Sequence, residues 1–168
     1  PGETPLLRHG DAVLPQAWVK EQFGEFSYRR TGDRDLELDP AWVREHLVEA
    51  ELPLLGTVRC HRGVVDVLRA ALVELEQRTL GYLVMESGFG GCFAPRLISP
   101  DGAVSRHAWG ISLDINSAKN AEGELGTQDK RLVDVLTARG FTWGGPWLYP
   151  DPAHFEWVNT RDASVAQR

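Results

Sequence analysis

The chain has 168 residues, 42% of them hydrophobic, and a net charge of −6 from 24 acidic and 18 basic side chains. That length suits one globular domain with a substantial core, and the acidic balance without a Lys/Arg-rich run argues against a nucleic-acid partner. No stretch of about 18 or more apolar residues occurs, so no segment reads as a membrane span, and a start at Pro1 without Met, basic region or apolar region predicts a processed or trimmed domain.

Taken in order, Pro15 to Phe23 reads as a short helix and Arg29 to Asp35 as a polar loop. Asp39 before Pro40 has the form of an N-cap with proline at the first helical position, which predicts a helix to about Ala50. The strongest helix runs from about His61 to Thr79, where Val64, Val65, Leu68, Ala71, Leu72 and Leu75 recur at helical spacing. Tyr82 to Glu86 reads as a buried strand, and Leu97-Ile98 and Ala103-Val104 flank the turn signal Ser99-Pro-Asp-Gly102 as a hairpin. Ile111, Leu113 and Ile115 alternate with Ser112 and Asp114, a strand with Asp114 on its polar face. Lys119 to Gly126 is a loop, after which Thr127 is placed to cap a helix carrying Leu132, Val135 and Leu136 that Gly140 ends. In the last strand His154 and Glu156 alternate with Phe155 and Trp157. Helices first and strands mainly later predict a single α+β domain, a mainly antiparallel sheet with helices packed on one side. There is no internal repeat and no low-complexity tract.

Four residues in two of these segments carry the chemistry. His107, Asp114 and His154 supply the three protein ligands of a catalytic zinc site, whose fourth position is left to water or substrate. His107 lies seven residues before Asp114, an odd separation that puts the two on opposite faces of a straight strand, so the chain must bend between them; Gly110 supplies the bend. Asp151, in the restricted stretch Tyr149-Pro-Asp-Pro152, is left for proton transfer. A single histidine is more often structural than a ligand, and His9, His46 and His61, which have no such company, read as surface or helix-terminal residues. Glu156 is the competing base, but it shares a strand face with His154 and reads better as the group that orients a ligand or forms a salt bridge. Trp109, Trp143 and Trp147 read as core, or as an aromatic wall beside the metal.

The pattern resembles that of the zinc peptidases of the D-alanyl-D-alanine carboxypeptidase type, which include L-alanyl-D-glutamate endopeptidases. Their Ser-x-His-x-x-Gly-x-x-x-Asp followed by Asp/Glu-x-x-His is matched by Ser105, His107, Gly110, Asp114, Asp151 and His154, and Gly140 to Trp147 and His154 to Trp157 also look like the family's C-terminal half. One departure stands out: members often carry an Arg shortly after Ser-Gly-Tyr/Phe, whereas Ser87-Gly-Phe89 is followed here by Gly90-Gly-Cys92, and the next arginine is Arg96.

The resemblance covers about residues 60–158, a motif-bearing core, with 1–38 as an N-terminal extension of one domain over 1–168. It implies a Hedgehog/DD-peptidase-like fold and a Zn2+-dependent peptidase acting on peptidoglycan stem peptides outside the cell or at its wall, with Asp151 as the base. Arg96 is the candidate clamp for a substrate carboxylate, with Arg106 as the alternative, and Ser105 a hydrogen-bonding group to substrate or to the metal loop. Asp at the Asp/Glu-x-x-His position leans towards the endopeptidases, a carboxylate clamp towards the carboxypeptidases. The rival reading is a wall-peptide or protein-binding module that keeps the fold without turnover. Cys60 and Cys92 are the only cysteines, and they form either a disulfide, as an even pair in an exported protein allows, or two buried thiols.

Overall fold

A computed structural model describes residues 16–85 and 89–157; the expectations for His9, Pro15 and residues 86–88 lie outside them. The elements run α1 (Gln16–Phe23), β1 (Tyr28–Arg30), β2 (Leu36–Leu38), α2 (Pro40–His46), β3 (Leu47–Leu52), β4 (Gly56–His61), α3 (Arg62–Gln77), α4 (Tyr82–Met85), β5 (Ser112–Asp114), α5 (Lys130–Ala138), β6 (Phe141–Gly144) and β7 (Asp151–Trp157). Short 3₁₀ turns, Arg106–Trp109 and Ser117–Lys119, flank β5. All named strand pairs are antiparallel: hairpins β1–β2 and β3–β4, and a three-stranded sheet in the order β5-β7-β6. The fold class is α+β.

The helical stripe read from the sequence is the centre of the core. Val64, Val65, Leu68, Ala71, Leu72 and Leu75 of α3 are all buried, with Leu132, Val135 and Leu136 of α5 and Leu113 and Phe155 of the sheet in the same cluster. α3 packs against α5 and the β3–β4 hairpin, and α5 packs against β6. The Asp39 cap of α2 is present, its Oδ1 accepting from Ala41 N–H at 2.8 Å. For α5 the cap is Asp129, which accepts from Arg131 N–H at 2.8 Å; Thr127 instead gives its N–H to Asn120 Oδ1. The turn at Ser99–Gly102 is closed by Gly102 N–H to Ser99 O, with Leu97 bridging Val104.

Two expectations are corrected. The helix expected to reach Ala50 stops at His46, because residues 47–52 pair in continuous register with 56–61, from Leu47↔His61 to Leu52↔Gly56. Tertiary pairing of this kind overrides the helical preference of Glu and Ala. Tyr82–Met85 is a short helix, not a strand. A four-residue apolar run reads either way by periodicity, and the edge of β5 that a strand there would need is taken by Phe89 and Gly90, which pair with Ile115 and Asp114. Leu83 and Val84 are buried all the same, and the Leu83 carbonyl accepts from Asn116 Nδ2 at 2.7 Å.

Residues 16–38 are part of this packing. Val19, Phe23, Leu36 and Leu38 join the core cluster, Leu36 N–H donates to Pro95 O at 3.0 Å, and the indole N–H of Trp109 donates to Gly24 O at 2.9 Å. Gly24 has φ +88°, and a side chain on it would meet the Trp42 and His46 rings.

His61 is helix-terminal, as read, but buried rather than on the surface. It caps α3: Nδ1 accepts from Gly63 N–H at 3.1 Å, and Nε2–H donates to Phe23 O at 3.3 Å. Both nitrogens are therefore used by the neutral ring. Burial above all, with His46 and Arg62 nearby, lowers its pKa to about 4, against the opposing pull of the Phe23 carbonyl. An unfolded histidine titrates near ~6.5, so between that pH and 4 the unfolded chain takes up a proton that the folded chain refuses. The His61 contribution to stability is complete above pH 6.5 and is lost as pH falls towards 4. Urea unfolding at pH 7.5 and pH 4.5 should show a larger acid loss for the parent than for His61→Asn, which keeps a capping side chain but does not titrate; equal losses would exclude His61 as a source.

Candidate metal centre

The site is assembled by one turn and one strand pair. Ser105 Oγ accepts from His107 N–H at 3.2 Å and caps the 3₁₀ turn that carries His107. The turn ends at Gly110 (φ +70°), where a Cβ would lie 2.8 Å from His61 N and 3.2 Å from Cys60 C, both backbone atoms. Only glycine fits that approach. This is the bend that the odd spacing of His107 and Asp114 requires. Antiparallel pairing then sets Asp114 directly opposite His154.

The ligand-type atoms of His107, Asp114 and His154 lie within 4.8 Å of one another. Asp114 Oδ1 is 3.3 Å from His107 Nε2 and 3.3 Å from His154 Nδ1. Two ligand atoms each about 2.1 Å from a tetrahedral zinc-sized ion stand ~3.4 Å apart, which the two Asp114 separations match. His107 Nδ1 lies 3.2 Å from the Cys92 carbonyl, which can only accept; with the hydrogen on Nδ1, the neutral ring would keep the Nε2 lone pair for an ion beside Asp114. Nε2 is buried and, apart from the Asp114 carboxylate at 3.3 Å, has no polar partner, which suits a ligand atom. The side chains of both histidines are 1% exposed, whereas that of Asp114 is 25% exposed. Of the three side chains, Asp114 is the one that reaches solvent.

The surroundings orient these groups. Glu156 Oε2, fully buried, lies 3.1 Å from His154 Nε2; with Nε2–H donating to it, Nδ1 would keep its lone pair for an ion beside Asp114. A carboxylate behind a ligand imidazole fixes its tautomer and raises its basicity. The Trp147 ring lies 5.4 Å from that of His154, while Trp109 is in the core and Trp143 donates to Pro152 O at 2.8 Å.

Asp151 is the first residue of β7 rather than part of a loop, half-buried and opposite Gly144. Three residues from His154, it would face the other way on a regular strand, but the β6–β7 register slips between Trp143 and Gly144 and breaks that alternation. Ser105 is buried and serves the metal loop. Arg96 is half-buried on the segment that pairs with residues 34–36, and Arg106 is buried in the turn. Two contributors were not foreseen. The Cys92 carbonyl is main chain and leaves no trace in residue type. Gly90 gives its N–H to Asp114 O at 2.7 Å, and a Cβ there would lie 2.9 Å from Asp114 Cβ; the glycine pair at 90–91 is its sequence signal.

Residues 99–157 match the family model described as D-alanyl-D-alanine carboxypeptidase, and this stretch contains all three clustered residues with Ser105, Asp151 and Glu156. No curated protein and no solved structure matches the chain. The family that the motif resembles is the one whose model matches, over 59 of the 168 residues.

The parent should bind one divalent ion per chain. His107→Ala should abolish binding at micromolar metal, and Glu156→Gln should weaken it by about 10- to 100-fold while leaving one site. Equilibrium dialysis with elemental analysis checks both, and full occupancy in His107→Ala would falsify the assignment.

Proposed function

We propose that this chain is a zinc-dependent peptidase that hydrolyses the stem peptides of bacterial peptidoglycan. The observation that carries the reading is the pair of 3.3 Å edges from Asp114 Oδ1 to two imidazole nitrogens, one of them buried without a hydrogen bond. Two imidazoles and one carboxylate are a donor set that suits zinc. Zinc bound there supplies Lewis acidity, lowering the pKa of a water towards ~7 and polarising a carbonyl.

The protein groups then divide the work. His107, Asp114 and His154 hold the ion, with Glu156 and the Cys92 carbonyl fixing the rings behind it. Asp151 takes the proton of the attacking water and passes it to the leaving amine. The rival base is Glu156, but it is fully buried and engaged by His154, so it cannot meet a substrate. Arg96 grips a substrate carboxylate, a role for which Arg106, buried in the turn, is the alternative. The bond cut is either D-alanyl-D-alanine or L-alanyl-D-glutamate. We take the protein to work outside the cell or at its wall, which the Cys60–Cys92 bridge supports because disulfides persist in oxidising compartments.

Purified muropeptides incubated with the protein should yield new masses that identify the bond, and chelation should stop their formation. Asp151→Asn should retain its metal while turnover falls by about 100-fold or more. An active Asp151→Asn beside a dead but metal-loaded Glu156→Gln would transfer the base to Glu156. Muropeptide binding without any product would leave a non-catalytic wall-binding module.

A further inference from the structure

The Cys60–Cys92 disulfide spans 32 residues of sequence, with a Cα–Cα distance of 5.3 Å and both cysteines at 2% exposure or less. Cys60 belongs to the end of β4, one residue before the His61 cap of α3. Cys92 lies against the turn that carries His107, and three contacts join the pieces. Phe93 N–H donates to Arg59 O at 3.0 Å, Ala94 N–H to His107 O at 3.0 Å, and the Cys92 carbonyl receives His107 Nδ1–H at 3.2 Å. On the other side of the turn, Gly110 O accepts from His61 N–H at 2.9 Å. Upstream of Cys92 stands Gly91, at φ +92° with open space where a side chain would be. It offers no packing to hold the Cys92 peptide in place.

The geometry points to the disulfide as a positioning device for a metal ligand: by fixing the Cys92 carbonyl against His107, it selects the ring tautomer whose Nε2 lone pair faces Asp114. This rests on the reading of His107 as a ligand. Without the bridge, the Cys92 peptide is held by hydrogen bonds on one side and by a bare glycine on the other. When the carbonyl withdraws, a neutral His107 populates the form protonated at Nε2, and the ligand atom carries a hydrogen that an incoming ion must displace. The bridge then acts on metal affinity through a main-chain atom, a role separate from the stability any cross-link contributes by restricting the unfolded chain.

The test uses Cys60→Ala/Cys92→Ala, which keeps the carbonyl and removes only the bridge. Cobalt titration at 25 °C, read by its visible bands, should give a Kd about 10-fold or more above the parent's, the scale of losing a partner behind a ligand imidazole. In the metal-free proteins, nitrogen NMR of the His107 ring should show the Nδ1–H tautomer in the parent and a mixture in the variant. A bridge that only stabilised the fold would lower the apo melting temperature and leave both the Kd and the tautomer unchanged; that result overturns the proposal. If the variant does not fold by circular dichroism, the parent reduced with a phosphine and kept at 25 °C gives the same two readouts. A parent that binds no cobalt removes the metal reading, while the tautomer comparison still decides whether bridge and ring are coupled.

Discussion

The antiparallel register of β5 on β7 sets Asp114 opposite His154, and the rest of the site is arranged around that pair. A shift of one residue would send either side chain to the other face of the sheet, since side chains alternate with a period of two. The register is secured from the apolar side, where Leu113 and Phe155 face each other at full burial. Packing in the core thereby fixes a polar distance on the opposite face. His107 arrives by a different route, on a turn held between the end of β4 and residues 92–94.

Electrostatics give this arrangement its direction. Glu156 is fully buried and Asp114 only partly, and the two lie at opposite nitrogens of the His154 ring. Burying a charge costs several kcal/mol unless it is paired, so a carboxyl placed this deep needs a partner, and the His154 ring is one. An imidazole donating to Glu156 offsets part of the cost, and a divalent ion among Asp114, His107 and His154 would offset more. Were an ion held there, the chain of groups from carboxylate through imidazole to ion would make the His154 ring more basic and less free to turn.

The candidate cluster was legible in the sequence because it is written in residue type and order: His107, Asp114 and His154 are the only group of this kind that the structure gathers among the described residues. Helices α3 and α5 were legible because their apolar stripes repeat with the helical period over several turns. What escaped was set by partners distant in the chain. Tyr82–Met85 is too short for periodicity to decide, and its strand-like composition meets no free sheet edge. Leu47–Leu52 turns from helix to strand because Gly56–His61 lies alongside it, and β6 was missed because glycines and tryptophans give no alternation. Main-chain contributions were beyond reach, as with the Cys92 carbonyl and the register slip that frees Asp151 from strict alternation.

The bond from the Trp109 indole to the Gly24 carbonyl bears on where this protein can be cut. Trp109 is buried two residues after His107 and is keyed to a residue that precedes the motif-bearing core by more than thirty positions. A fragment beginning near residue 60 would contain every proposed ligand yet leave that N–H without its acceptor, at about 1–3 kcal/mol, and would strip the Phe23 and Phe26 rings from the aromatic layer around Trp109 and His61. The shortest chain that carries the motif is therefore shorter than the shortest chain that can hold it in shape. Excision, fusion or permutation of this domain has to respect the α1–β1 region as part of the inheritable unit.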